Sequence, residues 1–103
     1  MKLRRGDVYW MQLPGGRRPA VVLTRDSAIP LLGRVVVAPA TRTIRGIPSE
    51  IRLTRMDGMP DECAISADNL QIVPKSVIRS RITSLSASRL DELCEATRFA
   101  IGC

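Results

Sequence analysis

Arg18-Pro19-Ala20-Val21-Val22-Leu23 and Val35-Val36-Val37-Ala38-Pro39-Ala40-Thr41-Arg42 are the two stretches on which the reading of this chain turns. Each is a short, β-branched apolar run with proline at one end, the pattern of a strand in a small sheet. Together they place a guanidinium, Arg18, and a hydroxyl, Thr41, at the ends of what read as two neighbouring strands. Arginine carries a planar fork of donors that matches phosphate oxygens and stays charged at any ordinary pH. Threonine adds a short donor and acceptor beside it. The pair suggests a phosphodiester site.

Outward from these runs, strand-like segments recur through the first four fifths of the chain. Asp7 to Leu13, Arg18 to Arg25, Arg34 to Ala40, Glu50 to Thr54, Cys63 to Ser66 and Leu70 to Val73 read as strands. Pro14-Gly15-Gly16, Ile29-Pro30, Gly46-Ile47-Pro48, Asp57-Gly58-Met59-Pro60 and Pro74-Lys75 read as the turns between them. After Pro74 a short helical turn to Ile78 is only faintly signalled. Towards the end the period changes from two to about 3.6, and Leu90, Leu93, Cys94, Thr97 and Ile101 fall on one helical face. Ser86 or Ser88 can cap this helix, Asp91 and Glu92 sit near its positive end, and Gly102 follows its last apolar residue. The expected fold is mainly β with some α: one domain over residues 1–103, an antiparallel sheet with a C-terminal α-helix packed on it.

Composition bounds the function. At 103 residues and 45% hydrophobic content the chain can bury one core of its own. No run approaches the roughly 18 consecutive apolar residues of a membrane-spanning helix. The start, Met1-Lys2-Leu3-Arg4-Arg5-Gly6-Asp7, has basic residues but no apolar stretch behind them. A cytoplasmic protein without a membrane partner is expected. The formal charge of +6 and a pI near 10.2 point to an anionic partner, nucleic acid first. All basic residues but Lys2 and Lys75 are arginines. That suits bidentate phosphate contact and base stacking, although GC-rich codons raise arginine content without functional cause.

Cys63, Cys94 and Cys103 form no C-x-x-C pair, and the chain has no histidine. A zinc site and a disulfide framework are both disfavoured, and the cysteines read as two small buried hydrophobes and a terminal thiol. Without histidine there is no Ser-His-Asp or Cys-His nucleophile and no histidine acid–base pair. No metal site and no cofactor are expected.

The order of these segments resembles the MazF/PemK toxins of bacterial type II toxin-antitoxin systems over nearly the whole chain. Arg5-Gly6-Asp7-Val8-Tyr9-Trp10 is similar to that family's opening, Arg18-Pro19-Ala20-Val21-Val22-Leu23 to its second strand, and Val37-Ala38-Pro39-Ala40-Thr41 to the end of its third. Gly46-Ile47-Pro48-Ser49-Glu50-Ile51 resembles the start of the next strand. The resemblance implies a small SH3-like barrel, of the type shared with a gyrase-inhibiting toxin, acting as a homodimer. It further implies a sequence-specific, metal-independent endoribonuclease that cuts single-stranded RNA to inhibit translation and growth, leaving a 2',3'-cyclic phosphate and a 5'-OH. An acidic, MazE-like antitoxin would silence it. By the family's motif the catalytic residues fall on Arg18 and Thr41.

The residue types fit that chemistry. Arg18 can relieve charge on a phosphorane and Thr41 can hold a non-bridging oxygen. Arg17, Arg42, Arg45 and Arg52 are the candidate contacts to RNA phosphates, and Gly46 and Pro48 suggest a segment that orders on binding. The general base stays open. Many relatives have an acid or amide in the loop before the arginine, whereas Leu13-Pro14-Gly15-Gly16-Arg17 is shortened and has neither, so either Arg18 shuttles the proton or electrostatics alone carry the rate. A second departure is Ser66-Ala67-Asp68-Asn69-Leu70-Gln71, where Asn69 and Gln71 replace the expected Gln and Arg. No catalytic role is assigned to them; base selection and a polar strand edge remain alternatives.

Asp7 and Asp26 sit at natural turn positions and read as structural. Arg79, Arg81, Arg89 and Arg98 read as surface charge. Trp10, the single tryptophan, is expected in the core or a dimer seam, with base stacking as the lesser alternative. Two other functional classes compete with the ribonuclease toxin: a toxin of the same fold that poisons a protein such as gyrase, and a nucleic-acid-binding barrel without activity.

Overall fold

In the computed structural model, which describes residues 2–102, the first hairpin is set by Pro14-Gly15. Proline fixes the first central residue of the turn, and Gly15 takes the second at φ +92°, a left-handed angle that favours glycine. Strands β1 (Asp7–Leu13) and β2 (Gly16–Val22) therefore pair antiparallel from Val8↔Val21 to Leu13↔Gly16. Strand β3 (Arg34–Thr41) lies along the other edge of β2. Its far edge holds two partners in succession: β6 (Gln71–Pro74) beside Arg34 to Val37, and β5 (Cys63–Ser66) beside Ala40 and Thr41. Strand β4 (Glu50–Leu53) extends β5, and β7 (Ile78–Ser84) pairs with β1. The order is β4-β5-β3-β2-β1-β7, with β6 on β3. The end strands β4 and β7 are not hydrogen-bonded to each other, so the barrel-like sheet does not close.

Both faces of the central strands are buried. Val8, Val21, Ala38, Ile51, Leu53 and Ile65 form one core with Leu93 and Ala96 of helix α1 (Ala87–Ile101). Tyr9, Met11, Ala20, Val22, Val35 and Val37 form the other. Successive strand residues point to opposite faces. Here both faces are covered, which is why the runs read as unbroken rather than alternating.

The seventh strand departs from the sequence expectation. Ile78-Arg79-Ser80-Arg81-Ile82-Thr83-Ser84 buries only Ile78, so it lacks the period that marks a strand. Its ladder with β1 also shifts register twice. Pairing with β1, rather than local propensity, makes it a strand, and the exposed Arg79 and Arg81 sit on an edge where charge discourages further pairing. The faint turn after Pro74 is present as a short helical turn, Lys75–Val77. Of the two candidate caps for α1, Ser86 holds the position, accepting a hydrogen bond from the Arg89 N–H at 3.2 Å. The helix buries Leu93 and Ala96, with Ala100 packed against the core, whereas Ile101 is exposed. The apolar stripe is thus rotated from the expected one.

Arg89 is not free surface charge. Its Nε and NH2 donate to Asp57 at 2.9 and 3.3 Å, while Asp57 also accepts from the Thr54 N–H at 2.9 Å. Next to it Gly58 has φ +90°, and a Cβ there would collide with the Thr83 side chain, whose hydroxyl donates to the Asp57 carbonyl at 3.1 Å. Residues 54–58 are thereby tied to α1 and β7, directly before the segment Met59 to Glu62.

Burial pushes the Asp57 carboxyl up, but the hydrogen bonds from Arg89 and Thr54 outweigh it and leave the group below its ordinary 3.8. Its contribution to stability is therefore complete above the unfolded value and is lost as pH falls through the lower folded value. Arg89→Ala and Asp57→Asn should each cost about 2 kcal/mol at neutral pH, as expected for hydrogen bonds to charged groups. Denaturant titrations of Asp57→Asn and wild type should converge in strong acid. Equal midpoints at neutral pH would contradict this role.

Candidate active site

The β2–β3 ladder runs Val22↔Val37, Val21↔Ala38, Ala20↔Pro39 and goes no further. The Leu23 N–H bonds the Val36 carbonyl, so in the alternating ladder the next hydrogen-bonded pair would be Pro19 with Ala40, and Pro19, with no N–H to donate, is a natural end for it. Beyond that point no pair joins β2 to β3, while on its far edge β3 goes on to pair Ala40 and Thr41 with Ile65 and Ala64 of β5. Continuing the register two residues past Ala20↔Pro39 sets Arg18 opposite Thr41. The parted ends open into a cleft of about 400 Å³ whose lining includes Trp10, Arg17, Arg18, Thr41, Arg42 and Asp61.

Arg18 is half-buried and, because β2 begins at Gly16, stands inside the strand rather than at its start. It forms no ion pair among the described residues. Its guanidinium reaches back to the hairpin turn, where a Cβ on Gly15 would lie 3.9 Å from NH2. The Thr41 hydroxyl accepts a hydrogen bond from the Thr43 N–H at 3.1 Å, which fixes its position and leaves its own O–H to donate.

The four expected RNA-contacting arginines separate. Arg17 lies in the cleft with its Cζ 4.6 Å from the centre of the Trp10 ring. Arg42, with a side chain 87% exposed, also lines it. Arg45 stays outside the cleft lining, its NH1 3.8 Å from Glu50, whose other oxygen accepts from the Arg45 and Gly46 N–H groups at 2.9 and 3.2 Å. The Gly46 to Pro48 segment is accordingly tied down by Glu50. Arg52, on β4, pairs with Glu62 and is likewise not in the lining.

Trp10 is in neither core. It is the half-buried residue between buried Tyr9 and Met11 on β1, and it faces the cleft from the part of the sheet that the helix does not cover.

Two carboxylates complete the cleft that sequence reasoning missed, Asp61 and Glu62. Their segment reads as a turn, and the one available signal is an acidic pair directly before a strand in a basic chain. Asp61 spans Arg42 and Arg55 at 3.5 and 3.6 Å. Cys63 also borders the cleft, but burial, reinforced by Asp57, Asp61 and Glu62, pushes its thiol up to about 11. At neutral pH it is therefore a protonated thiol and not a nucleophile.

Asn69 donates to the Ser66 hydroxyl at 3.0 Å and Gln71 pairs with Val37; neither reaches the cleft lining. Asp7 accepts from the Ser84 hydroxyl and Asp26 from the Arg5 N–H at 2.7 Å, both structural as expected. Cys63 is buried and Cys94 half-buried, while Cys103 lies outside the described residues. Among the described residues no three of His, Cys, Asp and Glu converge. No helix there is long and apolar enough to cross a membrane.

Known proteins are similar to this chain over nearly its whole length. "Probable endoribonuclease MazF2" of Mycobacterium tuberculosis is 43% identical over 102 residues, covering 98% of this chain and all of the relative. The structure of the Mycobacterium tuberculosis toxin MazF-mt6 superposes with a TM-score of 0.87 at 33% identity, covering 93% of this chain and 96% of that one. An endoribonuclease from a mycobacterial species, solved in complex with its cognate antitoxin, matches at TM-score 0.90 over 97% and 95% of the two chains. Its 22% identity shows the common fold. The family pattern itself spans residues 4–101, both flanks of the Arg18 and Thr41 cleft included, and the chain belongs to the PemK-like, MazF-like toxins of type II toxin-antitoxin systems.

Proposed function

We propose that this toxin is an endoribonuclease that cuts single-stranded RNA in the cleft between Arg18 and Thr41. The observation that carries the reading is that, where the β2–β3 ladder ends, one cleft is lined by an arginine with no ion pair among the described residues and a hydroxyl free to donate. Relatives named endoribonucleases support it. The ribose 2'-oxygen attacks its own 3'-phosphate in line, the P–O5' bond breaks, and the products are a 2',3'-cyclic phosphate and a 5'-OH. Arg18 neutralises the charge that builds on the equatorial oxygens, and Thr41 donates to one of them. The 2'-OH proton goes to Asp61, a cleft carboxylate that its arginines hold only at 3.5 and 3.6 Å. The departing 5'-oxygen takes a proton from solvent.

Charge relief from arginine leaves no step that needs a metal. Cleavage of a long single-stranded RNA should proceed in EDTA and yield fragments with a 2',3'-cyclic phosphate, while DNA of the same sequence, lacking the 2'-OH, stays intact. Loss of activity in EDTA with rescue by magnesium would contradict it.

Arg18→Ala should lower the cleavage rate by about 3 to 4 kcal/mol, or roughly 10²- to 10³-fold, with the fold retained. Arg18→Lys should fail too, because a point charge lacks the fork. Thr41→Ala should lose less. Asp61→Asn should depress the rate, whereas near wild-type rates for Arg18→Ala would remove the site assignment.

Two partners follow from the surface. Exposed Leu32 and Ile72 line one groove with Val36 beside β3 and β6, an apolar face that a second copy would cover in a homodimer. The exposed, arginine-rich cleft suits an acidic, partly disordered, MazE-like antitoxin segment that orders on it and excludes RNA. Adding the cognate antitoxin to the cleavage assay should stop cutting in proportion to occupancy, and Arg17→Glu with Arg42→Glu should weaken its binding. Continued cutting by fully bound toxin would rule out occlusion of this face.

A further inference from the structure

Trp10 and Arg17 form a feature that the proposed chemistry leaves unused. Trp10 is the single tryptophan of the chain, and it is half-buried in the cleft rather than packed in a core. Trp10 pairs with Pro19 and Gln12 with Arg17, so Arg17 stands diagonally across from Trp10 on the same face. Its guanidinium covers the ring at 4.6 Å. No carboxylate is paired with Arg17 among the described residues, so the indole ring is the contact identified for its charged head.

We propose that Trp10 is a stacking platform for one nucleobase of the RNA strand, and that Arg17 is its removable cover. This rests on the cleft being an RNA site. A cation over an indole at a water-exposed position is held more weakly than a nucleobase stacked on the same ring. A base entering the cleft therefore takes the ring face and releases Arg17. The freed guanidinium is next to Arg18 in the chain, where it turns to a flanking phosphate. One exchange thus positions a base beside the scissile bond and adds a phosphate contact. Because every base has a π-face, the platform fixes position and tolerates different bases.

The test uses a 2'-O-methyl single-stranded oligoribonucleotide of mixed sequence, which cannot be cut because it has no free 2'-OH. Titrated into the full chain, it should quench the Trp10 emission saturably, in step with the fluorescence anisotropy of a labelled copy. The same sugar–phosphate chain without bases should bind roughly tenfold more weakly and leave the emission unchanged. By anisotropy, Trp10→Phe should bind within a few-fold of wild type and Trp10→Ala roughly tenfold more weakly, with circular dichroism confirming the fold. Arg17→Ala should keep the quench while lowering the salt dependence of binding by about one phosphate contact.

Binding without any change in Trp10 emission, or equal affinity for the abasic chain, overturns the platform. Absence of binding by both readouts overturns the platform and the RNA reading together. Saturable quenching by a protein that fails to cut ordinary RNA upholds the platform and overturns only the chemistry.

Discussion

Strand β3 has to satisfy three neighbours with eight residues, and the rest of the fold is arranged around how it does so. Its first half gives one edge to β6, its middle pairs β2 on the other, and its last two residues are taken by β5. Pro19, which would face Ala40 in the next hydrogen-bonded pair, stands where the β2 ladder stops. A residue with an N–H there could have carried the ladder on, and Arg18 and Thr41 would have become cross-strand neighbours on a flat, filled sheet. With the ladder ended, the strands splay, and the space between them is the cleft. Cores on both faces of β2 and β3 keep the splayed ends from collapsing.

The charge of the chain acts through where its carboxylates sit. Net charge is +6, yet the cleft rim is internally paired: Asp61 with Arg42 and Arg55, Glu62 with Arg52. These pairs are exposed, and such pairs contribute only about 0 to 1 kcal/mol each. A phosphate can therefore replace a carboxylate at little cost, while in the free protein the rim stays compact. Arg17 and Arg18 have no such partner among the described residues. The attraction for a polyanion is thus greatest at the strand ends. The acids reach the rim because Asp57, held by Arg89 and Thr54, fixes the preceding turn. A contact near the helix thereby decides the geometry of the cleft on the far side of the loop.

The sequence by itself determined the elements whose information is local. Short β-branched runs between prolines and glycines mark the six expected strands, a 3.6 period with Ser86 or Ser88 before it and Gly102 after it marks the helix, and the ends of two of those strands place Arg18 and Thr41, which line one cleft. These signals survive because side-chain branching, turn angles and capping depend on residues a few positions apart. What only the tertiary structure decided involves groups far apart in the chain. Residues 78–84 became a strand through β1, against their own pattern. Arg89 became a structural ligand because Asp57 lies 32 residues away and still faces it. Arg45 and Arg52 left the cleft for Glu50 and Glu62, while Asp61 and Glu62 entered it. Trp10 stayed out of the core because the helix covers only part of its face of the sheet. A side chain's partner is set by register and by which surfaces are covered, and neither can be read from neighbours along the chain.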